Sequence, residues 1–514
     1  MGSMAHPDIR SIAGLRSTPV QPENPPGLQK IELKDMLDPG MCWQAMCSRD
    51  PRFDGRFFAG ARTTGLYCRN VCPVPFAMPK NIFLFACPAA AESAGFRPCK
   101  RCQPQAAPGT PAWLGTSAVV SRAFRLILEG ALNEGSVAEL AERLGLGSRH
   151  LHRLFVQHLG ASPLKIATTH RVHLARKLID ESKFPMTQIA FCSGFNSIRE
   201  FNHTVRLSTG QSPSKLRRAA NASRSVGRTS GLELRLAYRQ PFDWTNMIAF
   251  LKQRAIPGVE LVTESCYQRT IEIAGVPGFL TVRPDDARSR LVVHLEIGGH
   301  EGLAQTVERI RRIFDLNADP IQIASHLSLD PNLRRLLKLR AGLRVPGVWD
   351  GFEAAVLAIL GQKLTTPGPR RSVTRLVQMF GTPVDTPIRG LKYLFPRPEV
   401  LAGVDLSNIG IRPAHATTIR KLASSTSRRH FSFATSRTVE QAVSQVVTVC
   451  GVDESTANYI AMRAYGEPDA FPSNEVRLRR RLAGSNPVLR SAQALTMAER
   501  WRPWRAYAAI HLAQ

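Results

Sequence analysis

The chain has 514 residues, more than one hydrophobic core organises, so three or four domains are expected. Its 68 Lys and Arg outnumber 40 Asp and Glu, a net charge of +28 on a composition that is 43% hydrophobic. Such a balance argues against a disordered or acidic chain and points to a polyanionic partner, nucleic acid before a membrane surface. No apolar run is long enough to cross a bilayer, and the N-terminus lacks a secretory signal pattern, so the ten cysteines are read in a reducing, cytoplasmic setting.

Residues 1–35, rich in Pro and Gly, read as a flexible tail ahead of a small α+β domain at 36–112. That domain carries Cys68-x3-Cys72 and Cys99-x2-Cys102, a spacing that fits one Zn²⁺ held by four thiolates. Four thiolates around Zn²⁺ leave a formal charge of −2, so the sulfurs stay deprotonated and electron-rich. Arg62, Arg69, Lys100 and Arg101 form a basic collar that would bring a phosphate backbone to them. Cys42, Cys47, Cys87, Cys192, Cys266 and Cys450 are scattered and read as free thiols inside packed regions.

The runs Asp50-Pro51-Arg52-Phe53-Asp54-Gly55-Arg56-Phe57, Thr63-Thr64-Gly65-Leu66-Tyr67-Cys68-Arg69 and Gly95-Phe96-Arg97-Pro98-Cys99-Lys100-Arg101-Cys102 resemble the metal-binding domain of Ada-type DNA repair methyltransferases. The resemblance implies that Cys68 irreversibly takes the methyl group of a DNA methylphosphotriester. The chemistry agrees, because a metal-held thiolate is a soft nucleophile that needs no general base. A structural zinc site without chemistry is the competing reading. No Pro-Cys-His-Arg run occurs, so methylguanine repair is not expected.

A Pro/Ala/Gly linker from Gln103 to Pro111 leads into an all-α region at 113–220. Ser136 to Arg149 spells a helix, a Gly-bearing turn and a second helix to His158, with Leu151, Leu154 and Phe155 facing inward and Arg149, His150 and Arg153 outward. A second copy starts at Thr187: Phe195 and Phe201 are its core aromatics, and Ser197, Arg199, Asn202 and Arg206 are the groove candidates. A long helix from about Pro163 to Glu181 joins the two copies. With their Gly-Phe and Gly-x-Ser-Pro signatures they resemble the double helix-turn-helix of the AraC family. Residues 113–228 hold 17 Lys/Arg against 7 Asp/Glu, consistent with phosphate contacts. A helical protein-interaction module with a solvated basic face is the alternative.

After a linker at 221–231, strands are expected near Leu232–Leu236, Tyr267–Ile273, Gly278–Arg283 and Leu291–Glu296, with helices at Trp244–Arg254 and Glu301–Phe314. This small α+β domain, 232–345, resembles the N-terminal domain of AlkA-type alkylpurine DNA glycosylases. From 346 to 514 the chain reads as helical. Trp349-Asp350-Gly351-Phe352-Glu353-Ala354, Thr456-Ala457-Asn458-Tyr459, Asp469-Ala470-Phe471-Pro472 and Trp501-Arg502-Pro503-Trp504-Arg505 resemble that family's helix-hairpin-helix core. The resemblance implies a flipped cationic base held by aromatic rings, with Tyr459, Trp501 and Trp504 at matching positions.

Here the chain departs from its family. Glu475 stands where the family has the Asp that stabilises the sugar cation and orients water, one methylene longer. The hairpin turn, normally Gly-hydrophobic-Gly with amides on a phosphate, reads Gly451-Val452-Asp453-Glu454, so Gly451 is the remaining phosphate contact; Asp453 can visit the left-handed conformation only at some cost, and two carboxylates there are electrostatically wrong for a phosphate. Ser455 stands where relatives carry a Trp or a lyase Lys, so any activity is expected to be monofunctional. The whole reads as an alkylation-damage sensor of the bacterial nucleoid. It would bind alkylated and promoter double-stranded DNA, contact RNA polymerase and avoid membranes. A DNA-targeted alkylpurine glycosylase and a zinc transcription factor without methyl transfer are the two alternatives.

Overall fold

The computed structural model describes residues 38–104, 107–108, 118–182, 184–222, 232–297, 302–361, 367–433, 438–484 and 488–513. The tail expected at 1–35 and nearly all of the linker expected at 221–231 lie outside the described residues.

Asp38 caps the helix Pro39–Cys47 by accepting the Met41 N–H at 3.0 Å. Strands β1 (Phe58–Ala61), β2 (Leu66–Arg69), β3 (Ile82–Phe85) and β4 (Arg97–Pro98) follow in a sheet ordered β3-β1-β2-β4. β1 runs antiparallel to β2 and β3, whereas β4 lies parallel to β2, with Leu66 opposite Arg97 and Tyr67 opposite Pro98. That parallel pair brings the next residues of both strands, Cys68 and Cys99, side by side, and the Tyr67 carbonyl accepts the Cys99 N–H at 3.0 Å. Gly60 is needed on β1: a Cβ there would come within 2.8 Å of the Phe85 ring.

Next come eight helices from Ala118–Leu128 to Pro213–Ala222, two structural repeats around the central helix Pro163–Glu181. Ser136 and Glu139 form a reciprocal cap on Val137–Arg143, leading into Ser148–Leu159. The second repeat pairs Met186–Cys192 with Ile198–Thr209. Both outer helices end on a left-handed glycine, Gly160 (φ 69°) and Gly210 (φ 70°), followed by a Ser-Pro that starts the next helix.

Five antiparallel strands form the second sheet: β5 (Leu232–Ala237), β6 (Glu260–Val262), β7 (Tyr267–Ile273), β8 (Val276–Asp285) and β9 (Arg290–Ile297), ordered β5-β9-β8-β7-β6. β6 is a three-residue edge strand without the alternation that marked its neighbours in the sequence. The remainder is helical. Gly351–Leu360, started by the Asp350 carboxylate, buries eight of its ten residues and forms the centre of that half.

Three large apolar clusters cut across the domain boundaries expected from sequence. Phe58 and Tyr67 of the cysteine domain share a core with Phe124, Leu151 and Phe155 of the first helix-turn-helix. Phe195, Phe201 and Leu216 of the second share one with Leu234, Leu280 and Leu295 of the five-stranded sheet. Ile323, Leu327 and Leu333, from the segment before residue 345, pack with the C-terminal helices instead. Buried ions reinforce these seams. Glu467 takes Arg122 at 2.7 Å and Arg125 at 3.3 Å, while Arg56 reaches Asp319 at 2.6 Å. Glu92 accepts from Tyr67 Oη at 3.0 Å and Thr169 Oγ1 at 2.9 Å, tying the cysteine domain to the central helix. Burial pushes the Glu92 carboxyl up, but His173, Lys165 and Thr169 together hold it below its ordinary value.

Candidate functional sites: a four-cysteine centre and a carboxylate cleft

Cys68 lies in β2 one residue before its end, Cys72 lies one turn beyond, and Cys99 and Cys102 follow β4. The four Sγ atoms all lie within 4.8 Å of one another. Four sulfurs 2.3 Å from one zinc would stand just under about 4 Å apart, so the set fits a tetrahedral ion after small side-chain adjustments. Without a cation the charges conflict. Cys102 is pulled down to about 6, chiefly by a hydrogen bond from Cys68, while that bond and burial push Cys68 up. A divalent ion removes the conflict, because every sulfur can then be a thiolate.

Exposure separates the four. Cys72 is 0%, Cys99 6% and Cys102 7% exposed, whereas Cys68 is only half-buried. Arg62, Lys100 and Arg101 are exposed. Arg69, expected in that collar, instead turns inward: its Nε donates to Asp54 Oδ1 at 2.8 Å, Nη2 binds the other carboxylate oxygen, and Nη1 donates to the Cys102 carbonyl at 3.2 Å. Its backbone N–H also donates to Cys102 Sγ at 3.4 Å. Arg69 is thus a brace for the loop of the fourth sulfur and no longer free for phosphate. Of the six remaining thiols five are buried, but Cys47 is exposed.

In the first helix-turn-helix, Arg149, His150 and Arg153 are exposed on Ser148–Leu159, with His150 Nδ1 and Arg153 Nη2 3.0 Å apart. Leu151 and Phe155 are fully buried below them, and Leu154 only half-buried. In the second, Arg199, Asn202 and Arg206 are exposed on Ile198–Thr209. Ser197 caps that helix, its Oγ accepting the Glu200 N–H at 3.1 Å. Phe195 and Phe201 pack edge-on with centroids 5.5 Å apart.

In the C-terminal half, Glu475 opens the helix Val476–Ala483 and lines a cavity of about 190 Å³ with Phe250, Arg254, Arg340, Tyr459 and Arg477. Its carboxylate has no hydrogen bond or ion pair among the described residues. The Tyr459 hydroxyl accepts from Arg254 Nε at 3.1 Å and Arg463 Nη1 at 2.8 Å. Burial would push that phenol up, yet the two guanidiniums hold it below its ordinary value. Trp501 and Trp504 are elsewhere. Trp501 is 1% exposed, packs on Phe471 and donates its N–H to Asp330 at 2.8 Å; Trp504 is 4% exposed and packs on Tyr507. Both are core rings, which corrects their assignment to the base pocket. Phe250 and Arg254, contributed by the preceding domain, line the cavity with no motif to mark them in the sequence.

Three stretches of the chain match known family models. The description "Metal binding domain of Ada" matches residues 41–105, "Helix-turn-helix domain" residues 140–219 and "AlkA N-terminal domain" residues 233–350. A probable bifunctional transcriptional activator/DNA repair enzyme AlkA of Mycobacterium tuberculosis is 39% identical over 478 residues, spanning 92% of this chain and 95% of the relative. This chain belongs to the Ada–AlkA family. DNA-3-methyladenine glycosylase 2 of Escherichia coli is 34% identical over 281 residues, 54% of this chain and 95% of that protein. The bifunctional transcriptional activator/DNA repair enzyme Ada of Escherichia coli is 33% identical over 147 residues, 29% of this chain and 40% of that protein. The four-cysteine set is accordingly a zinc site, and the Ada–AlkA chain is a DNA-binding repair protein.

The hairpin of this Ada–AlkA chain joins Val439–Cys450 to Glu454–Ala464. Gly451 takes the left-handed conformation at φ 65°. Asp453 does not: it is extended at φ −66°, and its carboxylate accepts the Thr456 N–H at 3.0 Å and the Thr456 hydroxyl at 2.7 Å. Asp453 does not visit the left-handed region, because capping the next helix fixes the residue in the extended region. Ser455 Oγ accepts the Asn474 N–H at 2.9 Å, so this small side chain braces the turn that leads into Glu475.

Proposed function

We propose that Cys68 is an irreversible methyl acceptor and that its alkylation switches the double helix-turn-helix into an activator of repair genes. The half-exposure of Cys68 among three buried thiols carries this reading. The Cys68 sulfur attacks the methyl carbon of a DNA methylphosphotriester. A C–S bond forms as the O–CH₃ bond breaks, and its electron pair stays on the phosphate oxygen as an ordinary diester. When bound, zinc supplies the charge that keeps all four sulfurs deprotonated at neutral pH. Arg62, Lys100 and Arg101 hold the flanking phosphates, and Asp54, through Arg69, fixes the loop of Cys102 behind the nucleophile. Exposed Arg149, His150, Arg153, Arg199, Asn202 and Arg206 then contact promoter DNA at the nucleoid, next to RNA polymerase. A reporter behind the protein's own promoter tests this: Cys68→Ser abolishes induction by a methylating agent, while Cys47→Ser leaves it intact. Induction that survives Cys68→Ser would contradict the proposal.

The free carboxylate of Glu475 facing a cavity favours a second reading alongside the first: the C-terminal half is a monofunctional DNA glycosylase. Glu475 stabilises positive charge at the sugar carbon and takes the proton of the attacking water. Its extra methylene displaces the carboxylate by about 1 Å, a misplacement that costs roughly 10²-fold. Glu475→Asp is therefore expected to raise excision of alkylated adenine in single-turnover assays, and Glu475→Gln to abolish it. No gain with Asp would assign the deficit to the hairpin.

A further inference from the structure

We infer that the Glu475 cavity selects a base that is uncharged before it leaves, rather than the cationic alkylpurine, and that Arg477 sets this preference. The inference rests on the glycosylase reading of the cleft. Arg254, Arg340 and Arg477 line the cavity, and Glu475 is the single acidic wall residue among the described residues. Arg477 is exposed two residues after Glu475 and has no hydrogen bond or ion pair among the described residues, so its charge is not neutralised locally. Among the described residues the Arg340 guanidinium is tied only to a carbonyl, that of His511, at 3.5 Å.

The rings a cationic base would need are already engaged. The guanidinium of Arg254 sits 3.7 Å from the Phe250 centroid, and that of Arg463 lies 4.8 Å from the same ring and 5.7 Å from Tyr459. All three distances fall within cation–π range, so both rings already carry one of the protein's own cations against them. The rest of the wall near the C-terminus is aliphatic, with Ala509, Ile510 and Ala513. Gln253, exposed at the end of the helix Trp244–Lys252, offers an amide donor and acceptor suited to the edge of a neutral base.

The bond-breaking step sharpens the preference. The C1′–N bond breaks with both electrons leaving on the base nitrogen, water forms the new C1′–O bond, and its proton passes to Glu475. An uncharged base gathers negative charge as it leaves, and nearby guanidiniums stabilise that charge through hydrogen bonds. A cationic base becomes neutral instead, so the same guanidiniums oppose its binding and give its departure nothing. The departing base then recovers a proton from Glu475.

The test uses the full chain and duplex oligonucleotides carrying either hypoxanthine, uncharged, or 7-methylguanine, cationic. Single-turnover excision is expressed relative to the uncatalysed loss of each base. Affinity is read in parallel on duplexes with the same bases on a 2′-fluoroarabino sugar, which resists cleavage. The uncharged base is expected to lead by about tenfold or more in both readouts, and Arg477→Leu to shrink the ratio toward unity. A preference for 7-methylguanine, or a ratio unmoved by Arg477→Leu, overturns the inference. If neither base is excised, the glycosylase reading fails, and the affinity ratio with its response to Arg477→Leu still decides the selectivity.

Discussion

Single side chains show where chemistry is placed and where packing is paid in charge. Glu308, on the helix Leu303–Ile313, is 8% exposed, and burial, offset in part by Arg311, pushes its carboxyl up from 4.5 to about 7. A raised acid binds its proton more tightly folded than unfolded, so its contribution is complete below pH 4.5 and is lost as pH climbs to about 7. Wild-type protein is therefore expected to lose up to about 3 kcal/mol across that window relative to Glu308→Gln. Urea denaturation at pH 4.5 and pH 8 checks this; a variant no more stable than wild type at pH 8 would contradict it. At this scale the sequence was uneven. The cysteine spacing located the metal set because tetrahedral ligation constrains local separations. The inward turn of Arg69 was not legible, since its partner Asp54 lies 15 residues away and no periodicity links them. Trp501 and Trp504 were misplaced because helical spacing looks the same for a core ring and a pocket ring.

At the scale of elements, repeated signals were the readable ones. The central helix ends where the pattern placed it, at Pro163 and Glu181, because Ser162-Pro163 is a start signal. The edge strand β6 gave no signal, since three residues cannot show alternation. The hairpin turned on a feature that propensity could not decide: Asp453 serves the next helix as a cap instead of copying a glycine. Its carboxylate occupies the amide end that would meet a phosphate and places negative charge there. Asp453→Gly is thus expected to lower stability by only about a few tenths of a kcal/mol through loss of the side-chain cap while tightening nonspecific duplex binding at low salt. Thermal melts and fluorescence anisotropy measure the two effects, and unchanged DNA affinity would show that the hairpin does not approach the backbone.

Across the whole molecule, four domain types are welded by shared cores, a property with no local sequence signature because it depends on residues far apart in the chain. The Cys68 domain shares its core with the first helix-turn-helix, so a change at the zinc site arises on the same packed body as the helix Ser148–Leu159. Methylation turns one thiolate into a thioether and takes one negative charge from a site of formal charge −2. Less repulsion toward phosphate should then raise promoter affinity. Methylated protein is expected to bind more tightly than unmethylated protein, the difference narrowing as salt rises; equal affinities at low salt would remove the electrostatic switch.

The central claim is tested most directly by locating the methyl group. Zinc-loaded protein is incubated with duplex DNA bearing a methylphosphotriester, digested, and the cysteine peptides mapped by mass spectrometry. One added methyl, confined to Cys68 and absent from Cys72, Cys99 and Cys102, is the expected result. A methyl on another cysteine, or on none, would contradict the account.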